Sequence, residues 1–330
     1  MTVVQTRRRF LTTLALGATS ATLPCRPGEA AEPRLEITTV RFAKIPAICF
    51  APQYVCDELL RAEGFTDIQY VDADFAALPE DLGHGRFDFA SSFAPQHIVA
   101  IDTGTPISVL TGVHVGCVEL FSRDGLRGIT DLKGKSVGLT GMPELISIMA
   151  AYVGLDPKRD LTFVTDPARE PLDLFVHGKL DAYLALLPEP QELHARGIGQ
   201  VIVRTAVDRP WSQYFCCVLA GNKQYVARYP AATKRVIRAM LKAADLCASQ
   251  PKWAAQRIVD GGFAERYDYA LQTLNENPYG NWREYDVEDT MRFYSVRLHE
   301  LGMIKSSPQK IIANGTDWRF LNELKHELKA

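Results

Sequence analysis

Residues 130–143 read Thr130-Asp131-Leu132-Lys133-Gly134-Lys135-Ser136-Val137-Gly138-Leu139-Thr140-Gly141-Met142-Pro143. This stretch predicts a turn, a short strand over 136–139, a glycine turn and a helix that begins near Pro143. Such a succession places free backbone N–H groups and the positive end of a helix dipole at the carboxyl end of a strand. The corner suits a small polar or anionic ligand, although a purely structural corner fits the same residues.

The same corner occurs earlier in the chain. Val40-Arg41-Phe42-Ala43-Lys44-Ile45-Pro46 aligns with residues 137–143 at an offset of 97 residues. Gly85-Arg86-Phe87-Asp88-Phe89-Ala90 aligns with Gly178-Lys179-Leu180-Asp181-Ala182-Tyr183 at an offset of 93. Two matches in the same order at nearly the same offset predict two similar α/β lobes, each with a parallel-rich sheet and flanking helices.

Residues 1–30 have the layout of a bacterial export signal. Arg7-Arg8-Arg9 directly precede Phe10-Leu11, an apolar run follows to Leu23, and small residues occupy 28–31 except for Glu29. Arginines in this position resemble the twin-arginine class of signal, whose passengers cross the membrane already folded. A lipid anchor on Cys25 is the alternative, which the residues before Cys25 match poorly. We therefore expect a periplasmic protein.

Composition excludes several functional classes. The formal net charge is −2, and it becomes −5 without residues 1–30, because that segment holds four arginines and one glutamate. A mildly acidic chain without a basic stripe argues against a nucleic-acid partner or an anionic membrane surface. With 47% hydrophobic residues and about 300 residues after the signal, the length favours two domains.

Seven cysteines are spread along the chain at 25, 49, 56, 117, 216, 217 and 247. They form no C-x-x-C pair and no His/Cys cluster at zinc spacing, so the sequence predicts no metal site and no cofactor. Buried thiols are favoured over disulfides, because a chain that folds before export keeps its cysteines reduced.

The predicted elements assign the chain to its lobes. In the first lobe Asp81–Gly85 is predicted to be a turn, and Ser91-Ser92 to cap a helix over 95–102. The second lobe holds elements over 161–164, 171–176 and 182–186. The apolar run 215–220 predicts a strand that returns to the first lobe, and helices after residue 221 are expected to brace that lobe. The predicted boundaries are 35–118 and 218–330 for lobe 1, and 119–217 for lobe 2.

The export signal, the two lobes, the phrase Asp131-Leu132-Lys133-Gly134-Lys135-Ser136-Val137-Gly138 and the Gly-x-x-Asp turns resemble a periplasmic substrate-binding protein of an ABC importer. The chain is similar, over about residues 35–325, to the group of nitrate-, taurine- and alkanesulfonate-binding proteins (SsuA/TauA) and NMT1/THI5-like proteins. The resemblance implies a type II-like two-lobed α/β fold with a hinge of two crossings. It also implies a small-molecule ligand between the lobes, a monomer, and an ABC permease in the inner membrane as partner.

The resemblance places the ligand on strand-end loops that face the cleft: Lys44, Pro46, Cys49, Ser92, Phe93, His114, Gly116, Thr140, Gly141, Met142, Glu189, Trp211 and Tyr214. Ordinary structural roles stay open beside this one: a solvated lysine, a linker histidine, a first-turn glutamate, and aromatic packing at a lobe edge. A sulfonate or nitrate-like anion would use Lys44 or Arg209, whereas a pyrimidine would stack on Trp211 or Tyr214. The residue types favour a small organic ligand.

Two alternative functions are considered. Eukaryotic relatives in the pyrimidine group are enzymes that make the thiamine pyrimidine, and they carry a cysteine-rich run that Phe215-Cys216-Cys217 resembles. Here the run has two cysteines, and residues 44–49 lack the Asn and His of those enzymes, so we expect no enzymatic activity. A ligand-binding partner of a membrane sensor would share every feature described above.

Overall fold

The computed structural model describes residues 32–123, 125–139, 141–164 and 170–329. The predicted export signal and Thr140 lie outside these residues. The described residues from Leu35 onward form one compact unit. Among the described residues, every helix is too short or too polar to span a lipid bilayer.

Ten strands form two five-stranded sheets. The strands are β1 (Thr39–Lys44), β2 (Asp67–Asp72), β3 (Phe89–Phe93), β4 (Ile107–Val115), β5 (Val118–Ser122), β6 (Lys135–Leu139), β7 (Leu161–Val164), β8 (Ala182–Leu186), β9 (Gln200–Arg204) and β10 (Phe215–Asn222). The first sheet has the order β2-β1-β3-β10-β4, and the second has the order β7-β6-β8-β5-β9.

The two sheets repeat one another, as the sequence predicts. In the first sheet β1 is parallel to β2 and β3, and β10 is antiparallel to both of its neighbours. In the second sheet β6 is parallel to β7 and β8, and β5 is antiparallel to both of its neighbours. The stretches aligned by sequence, 40–46 and 137–143, cover most of β1 and the end of β6, so the repeat is confirmed at the level of topology.

The repeated Gly-x-x-Asp turn has the same structural role in both sheets. The Asp88 carboxylate accepts a hydrogen bond from the Arg41 backbone N–H at 2.8 Å. The Asp181 carboxylate accepts one from the Ser136 backbone N–H, also at 2.8 Å. Each aspartate therefore ties the start of its own strand region to the neighbouring parallel strand. Asp88 additionally pairs with the Arg41 guanidinium at 2.7 Å.

The chain passes between the sheets at two crossings. The first crossing is Gly116-Cys117, between β4 and β5, and the second is residues 205–214, between β9 and β10. Gly116 has φ +84°, and a Cβ placed on it would lie 2.6 Å from the Ala206 Cβ. Only glycine allows the crossings to approach this closely. Thr205 Oγ1 also accepts a hydrogen bond from the Val118 N–H at 3.0 Å, which fixes the second crossing to β5.

Helices flank the sheets and follow the C-terminal part of the chain. They are α1 (Ala51–Val55), α2 (Asp57–Ala62), α3 (Leu78–Gly83), α4 (Ala94–Thr103), α5 (Pro143–Tyr152), α6 (Pro171–Val176), α7 (Glu189–Arg196), α8 (Lys223–Arg228), α9 (Pro230–Ser249), α10 (Pro251–Asp260), α11 (Tyr267–Glu276), α12 (Val287–Glu300), α13 (Pro308–Gly315) and α14 (Arg319–Glu327). The bounds predicted for β7, α6 and β8 are confirmed.

The C-terminal helices brace the first sheet. The Glu36 carboxylate accepts hydrogen bonds from the backbone N–H groups of Ala231 and Ala232 at the start of α9. Thr316 forms a bridge with Val109 of β4. Because α9 presents a buried apolar stripe that includes Val236, it packs its amphipathic face onto the lobe.

Two local predictions in the first lobe are wrong. Ser91 and Ser92 do not cap a helix: both lie inside β3 and are buried, and Phe93 precedes α4 without a side-chain cap. Burial of the whole strand outweighs the preference of serine for caps. The turn predicted over 81–85 begins inside α3, which continues to Gly83 because Leu78 and Leu82 are buried on one side.

The repeated aspartates give a stability prediction. We expect Asp88→Ala to lower the free energy of unfolding by about 2–3 kcal/mol, and Asp181→Ala by about 1–2 kcal/mol. Asp88 is buried, whereas the Asp181 side chain is 38% exposed, so water replaces more of the lost contacts at Asp181. Urea unfolding followed by circular dichroism measures both changes.

The matched control is Asp67→Ala, at an exposed strand residue, which should change stability by less than about 0.5 kcal/mol. An Asp88→Ala variant as stable as the wild type would contradict the role assigned to the turn.

Candidate functional site

A large cavity of about 950 Å³ opens between elements of the two sheets. One wall is the turn after β1, another is α7 of the second sheet, and the third is the segment between α10 and α11. The lining residues are Pro46, Ile48, Pro188, Glu192, Ala195, Arg196, Gly262, Phe263, Ala264, Glu265, Arg266 and Tyr269. This volume suits a small organic molecule.

Two arginines supply the positive charge in the large cavity. Arg196 lies 2.7 Å from the Glu192 carboxylate, one helical turn away on α7. Arg266 donates to the Asp268 carboxylate at 3.0 Å, and its guanidinium lies 3.8 Å from the centroid of the Tyr269 ring. Both ion pairs are exposed to solvent and therefore weak, so an anionic ligand can replace either carboxylate at little cost.

A smaller cavity of about 550 Å³ lies at the corner after β6. Gly141, Met142 and Glu144 line one side, and Phe75 and Gln96 line the other. A Cβ on Gly141 would lie 3.5 Å from the Phe75 ring, so the corner is already in contact with the first-sheet side. Burial raises the pKa of the Glu144 carboxyl in the first turn of α5.

The two predicted ligand-binding corners therefore line different cavities. Pro46 faces the large cavity, and Gly141 and Met142 face the smaller one. The Ser92 hydroxyl donates a hydrogen bond to Oε1 of Gln96 at 2.6 Å, and Gln96 lines the smaller cavity. Lys44 is half-buried, with Nζ 3.7 Å from the Asp72 carboxylate and 5.8 Å from the centroid of the Phe263 ring. Its charge thus lies beside the large cavity.

Three predicted aromatic contacts belong to a packed group of rings. Tyr214 stacks on Phe293 of α12 at 4.0 Å between centroids, and Trp211 meets the same ring edge-on at 6.3 Å. Trp211 also contacts Tyr152 of α5 at 5.6 Å. Phe93 joins the group through Tyr294. Trp211 is 3% exposed, so the structure places it in packing between the two sides of the molecule.

The remaining predicted positions lie elsewhere. The Glu189 carboxylate accepts a hydrogen bond from the Leu186 N–H at 2.7 Å, at the start of its own helix. Gly116 forms the first crossing. Cys49 and His114 come together with Cys117 and Cys217 in a buried cluster, called here the Cys/His cluster, whose ligand atoms lie within 4.8 Å of one another. This cluster is the group in the described residues that could hold a metal ion.

Sequence reasoning missed the third wall of the large cavity. Residues 262–269 were assigned to helices that brace a lobe, but Phe263, Arg266 and Tyr269 line the cavity. The signal was a Gly-Gly-Phe break at 261–263 followed by an arginine and two tyrosines at 266, 267 and 269. Segments that connect helices often carry binding residues.

Comparison with known proteins gives one family and one fold. The family model described as NMT1/THI5 like matches residues 63–254. A search of the curated proteins finds no match.

Several solved structures share the architecture over most of their length. The periplasmic nitrate-binding protein NrtA from Synechocystis PCC 6803 is 14% identical with a TM-score of 0.76, over 90% of each chain. The alkanesulfonate-binding protein SsuA from Xanthomonas axonopodis pv. citri, bound to MOPS, is 16% identical with a TM-score of 0.67, over 86% of this chain and 100% of that one. A Candida albicans protein described as having the generic periplasmic binding protein fold is 15% identical with a TM-score of 0.66, over 85% and 96%. The chain therefore has the two-lobed periplasmic binding protein fold.

The packing of Trp211 can be tested directly. We expect Trp211→Ala to lower the free energy of unfolding by about 3–5 kcal/mol, because it removes a buried ring that contacts both sides of the molecule. Urea unfolding measures the loss. Val207→Ala, at a side chain 67% exposed in the same crossing, is the control and should change stability by less than about 0.5 kcal/mol. A Trp211→Ala protein of wild-type stability that fails to bind ligand would instead make Trp211 a ligand contact.

Proposed function

This chain belongs to the NMT1/THI5-like family, and from that premise we propose that it is the extracytoplasmic solute-binding component of an ABC importer. In this proposal it captures a small organic ligand between two lobes and delivers the ligand to a permease in the inner membrane. Lobe 1 comprises 35–118 and 218–330, and lobe 2 comprises 119–217. The protein acts in the periplasm as a monomer, after export through the twin-arginine-type signal.

One observation carries the proposal: a large cavity lies between elements of two sheets, and the chain passes between these sheets at 116–117 and 205–214. The two crossings touch at Gly116 and Ala206. Two rigid bodies connected at one edge can rotate about that edge and close on a ligand.

The charges in the large cavity favour an organic anion. Arg196 and Arg266 present guanidinium groups that match the planar or forked oxygens of a carboxylate, sulfonate or nitrate. Phe263 and Tyr269 add ring surface for the organic part of the ligand. An anionic headgroup on a short apolar or aromatic body fits this lining better than a bare inorganic ion.

Tight binding of a ligand requires the two lobes to close around it, because one helix N-terminus stabilises an anion too little. A helix N-terminus stabilises an anion by roughly 0.3–1 kcal/mol, and by about 2 kcal/mol when it is partly buried. A micromolar dissociation constant corresponds to about 8 kcal/mol. No single corner supplies that amount, so both lobes must contribute and water must be excluded from the cavity.

We expect the protein to bind its ligand without converting it. The lining of the large cavity offers guanidinium groups, rings and paired carboxylates, which are binding contacts, and the first-strand turn lacks the Asn and His of the pyrimidine-forming relatives. A membrane-sensor partner would use the same lobes and cavity. The presence of permease and ATPase genes beside this gene would separate an importer from a sensor.

A ligand screen tests the function. We expect alkanesulfonates, aromatic acids or anionic pyrimidines to raise the thermal unfolding midpoint of the mature protein, with nitrate and bicarbonate as inorganic comparisons. A ligand at 100 times its dissociation constant adds about 2.7 kcal/mol of stability. Because the cavity arginines bind the anion, Arg196→Ala and Arg266→Ala should each reduce the affinity at least about tenfold.

The matched control is Arg292→Ala, which breaks a similar exposed pair with Glu288 on α12, outside the large cavity. Unchanged affinity in both cavity variants would contradict the assigned site. Consumption of the ligand by the purified protein would contradict a solute-binding role.

A further inference from the structure

Four residues far apart in the chain converge in the Cys/His cluster. Cys49 lies in the turn after β1, His114 near the end of β4, Cys117 in the first crossing and Cys217 in β10. Their ligand atoms lie within 4.8 Å of one another, and the four residues are between 1% and 8% exposed. The sequence spacing predicts no metal site, because no two of these ligands form a short motif.

We propose that the Cys/His cluster binds one Zn²⁺ ion in a closed, four-coordinate site. Three thiolates and one imidazole are a ligand set that zinc takes in structural sites. Zinc–sulfur bonds of about 2.3 Å and zinc–nitrogen bonds of about 2.0 Å place the four tetrahedral ligands about 3.5–3.8 Å apart. The observed limit of 4.8 Å therefore requires side-chain movements of about 1 Å or less. This inference is independent of the ligand of the large cavity.

His114 supplies the observation that points most directly to a metal. Its Nε2 atom is buried and has no hydrogen-bond partner, although a buried polar nitrogen is normally satisfied. The other ring nitrogen, Nδ1, lies 3.4 Å from the Val115 carbonyl oxygen. A histidine that binds a metal through one ring nitrogen usually donates its other ring N–H to a backbone carbonyl or a carboxylate. His114 has this arrangement, with Nε2 as the nitrogen that could bind the metal.

The strand pairing holds two of the ligands side by side. Cys217 is the partner of His114 across the β10–β4 pair, and the register of β10 shifts on both sides of Cys217. Such irregularities re-aim side chains, and they are frequent beside functional sites. Cys117 is held by the first crossing at a positive φ of 90°, an uncommon conformation for cysteine.

Charge explains what the metal would contribute. A buried thiolate is expensive unless a cation lies beside it. A Zn²⁺ ion supplies the compensating charge, and the thiol protons are released to solvent when it binds.

A second set of residues surrounds the cluster. Cys216 Sγ lies 3.1 Å from Cys117 Sγ, close enough to donate a hydrogen bond to a zinc-bound thiolate. The Tyr279 ring meets the His114 ring edge-on at 5.5 Å, and its hydroxyl donates to the Cys49 carbonyl oxygen at 3.3 Å. Cys216 and Tyr279 thus contact three of the proposed zinc ligands, Cys117, His114 and Cys49, and help to orient them.

The position of the ion gives it a structural role. Cys117 belongs to the first crossing, and Cys217 follows the second crossing by three residues. Zinc would therefore tie both crossings to β4 and to the turn after β1, at the edge about which the lobes rotate. A chain that folds in the reducing cytoplasm before export, as the twin-arginine-type signal predicts, keeps these thiols available for zinc.

Metal analysis of the full chain tests the proposal. The protein is purified under reducing conditions, incubated with Zn²⁺ and dialysed, and the metal is measured by mass spectrometry. We expect about one zinc per chain in the wild type, and at least about a tenfold loss in Cys49→Ser and His114→Ala. The control Cys56→Ser changes a buried thiol outside the cluster and should retain the metal.

Cobalt binding to the wild type is a second test, and it does not depend on the folding of any variant. The reduced wild type titrated with Co²⁺ should develop the visible absorption of tetrahedral thiolate coordination, saturating at one equivalent, and Zn²⁺ should remove that absorption. A reduced wild type that binds no metal, or a Cys49→Ser protein that holds as much as the wild type, would overturn the site.

Discussion

Contact between the two crossings is the constraint on which the rest of the structure depends. Each sheet contains one antiparallel strand that arrives from the other side of the molecule: β5 enters the second sheet through Gly116-Cys117, and β10 enters the first sheet through 205–214. Because Gly116 lies against Ala206 with φ +84°, a side chain there would separate the crossings. The packing of both sheets, and any movement between them, therefore depends on one narrow edge of the chain.

Contacts within each sheet are strong, whereas contacts between the two sheets are weak. Within each sheet, Asp88 or Asp181 fixes a strand to its parallel neighbour through a charged hydrogen bond, which is worth more than a neutral one. Between the sheets, the large cavity is lined by partly exposed ion pairs, which are weak and easily exchanged. This division, firm lobes with exchangeable contacts between them, is what a protein that opens and closes on a ligand requires.

The sequence predicted the fold better than the site, for physical reasons. Repeated apolar strands and Gly-x-x-Asp turns are local patterns. The succession of β1, β2 and β3 along the chain, and its repeat in β6, β7 and β8, could therefore be predicted. Contacts between distant residues leave no spacing signal: His114 meets Cys49, and Trp211 meets Phe293, only after the sheets have formed. Ser92 shows the reverse error, because burial of β3 overrode a local cap preference. Phe263, Arg266 and Tyr269 were missed because a helix break in a bracing region carries little information about which cavity it faces.

The central claim is that the two lobes close on a small ligand. Small-angle X-ray scattering of the mature protein, with and without a saturating ligand found by stability screening, measures that movement directly. We expect the radius of gyration to decrease on ligand binding, and Arg266→Ala to need at least about ten times as much ligand to reach the same decrease. A radius of gyration unchanged by a bound ligand would contradict closure between the lobes and with it the proposed mode of capture.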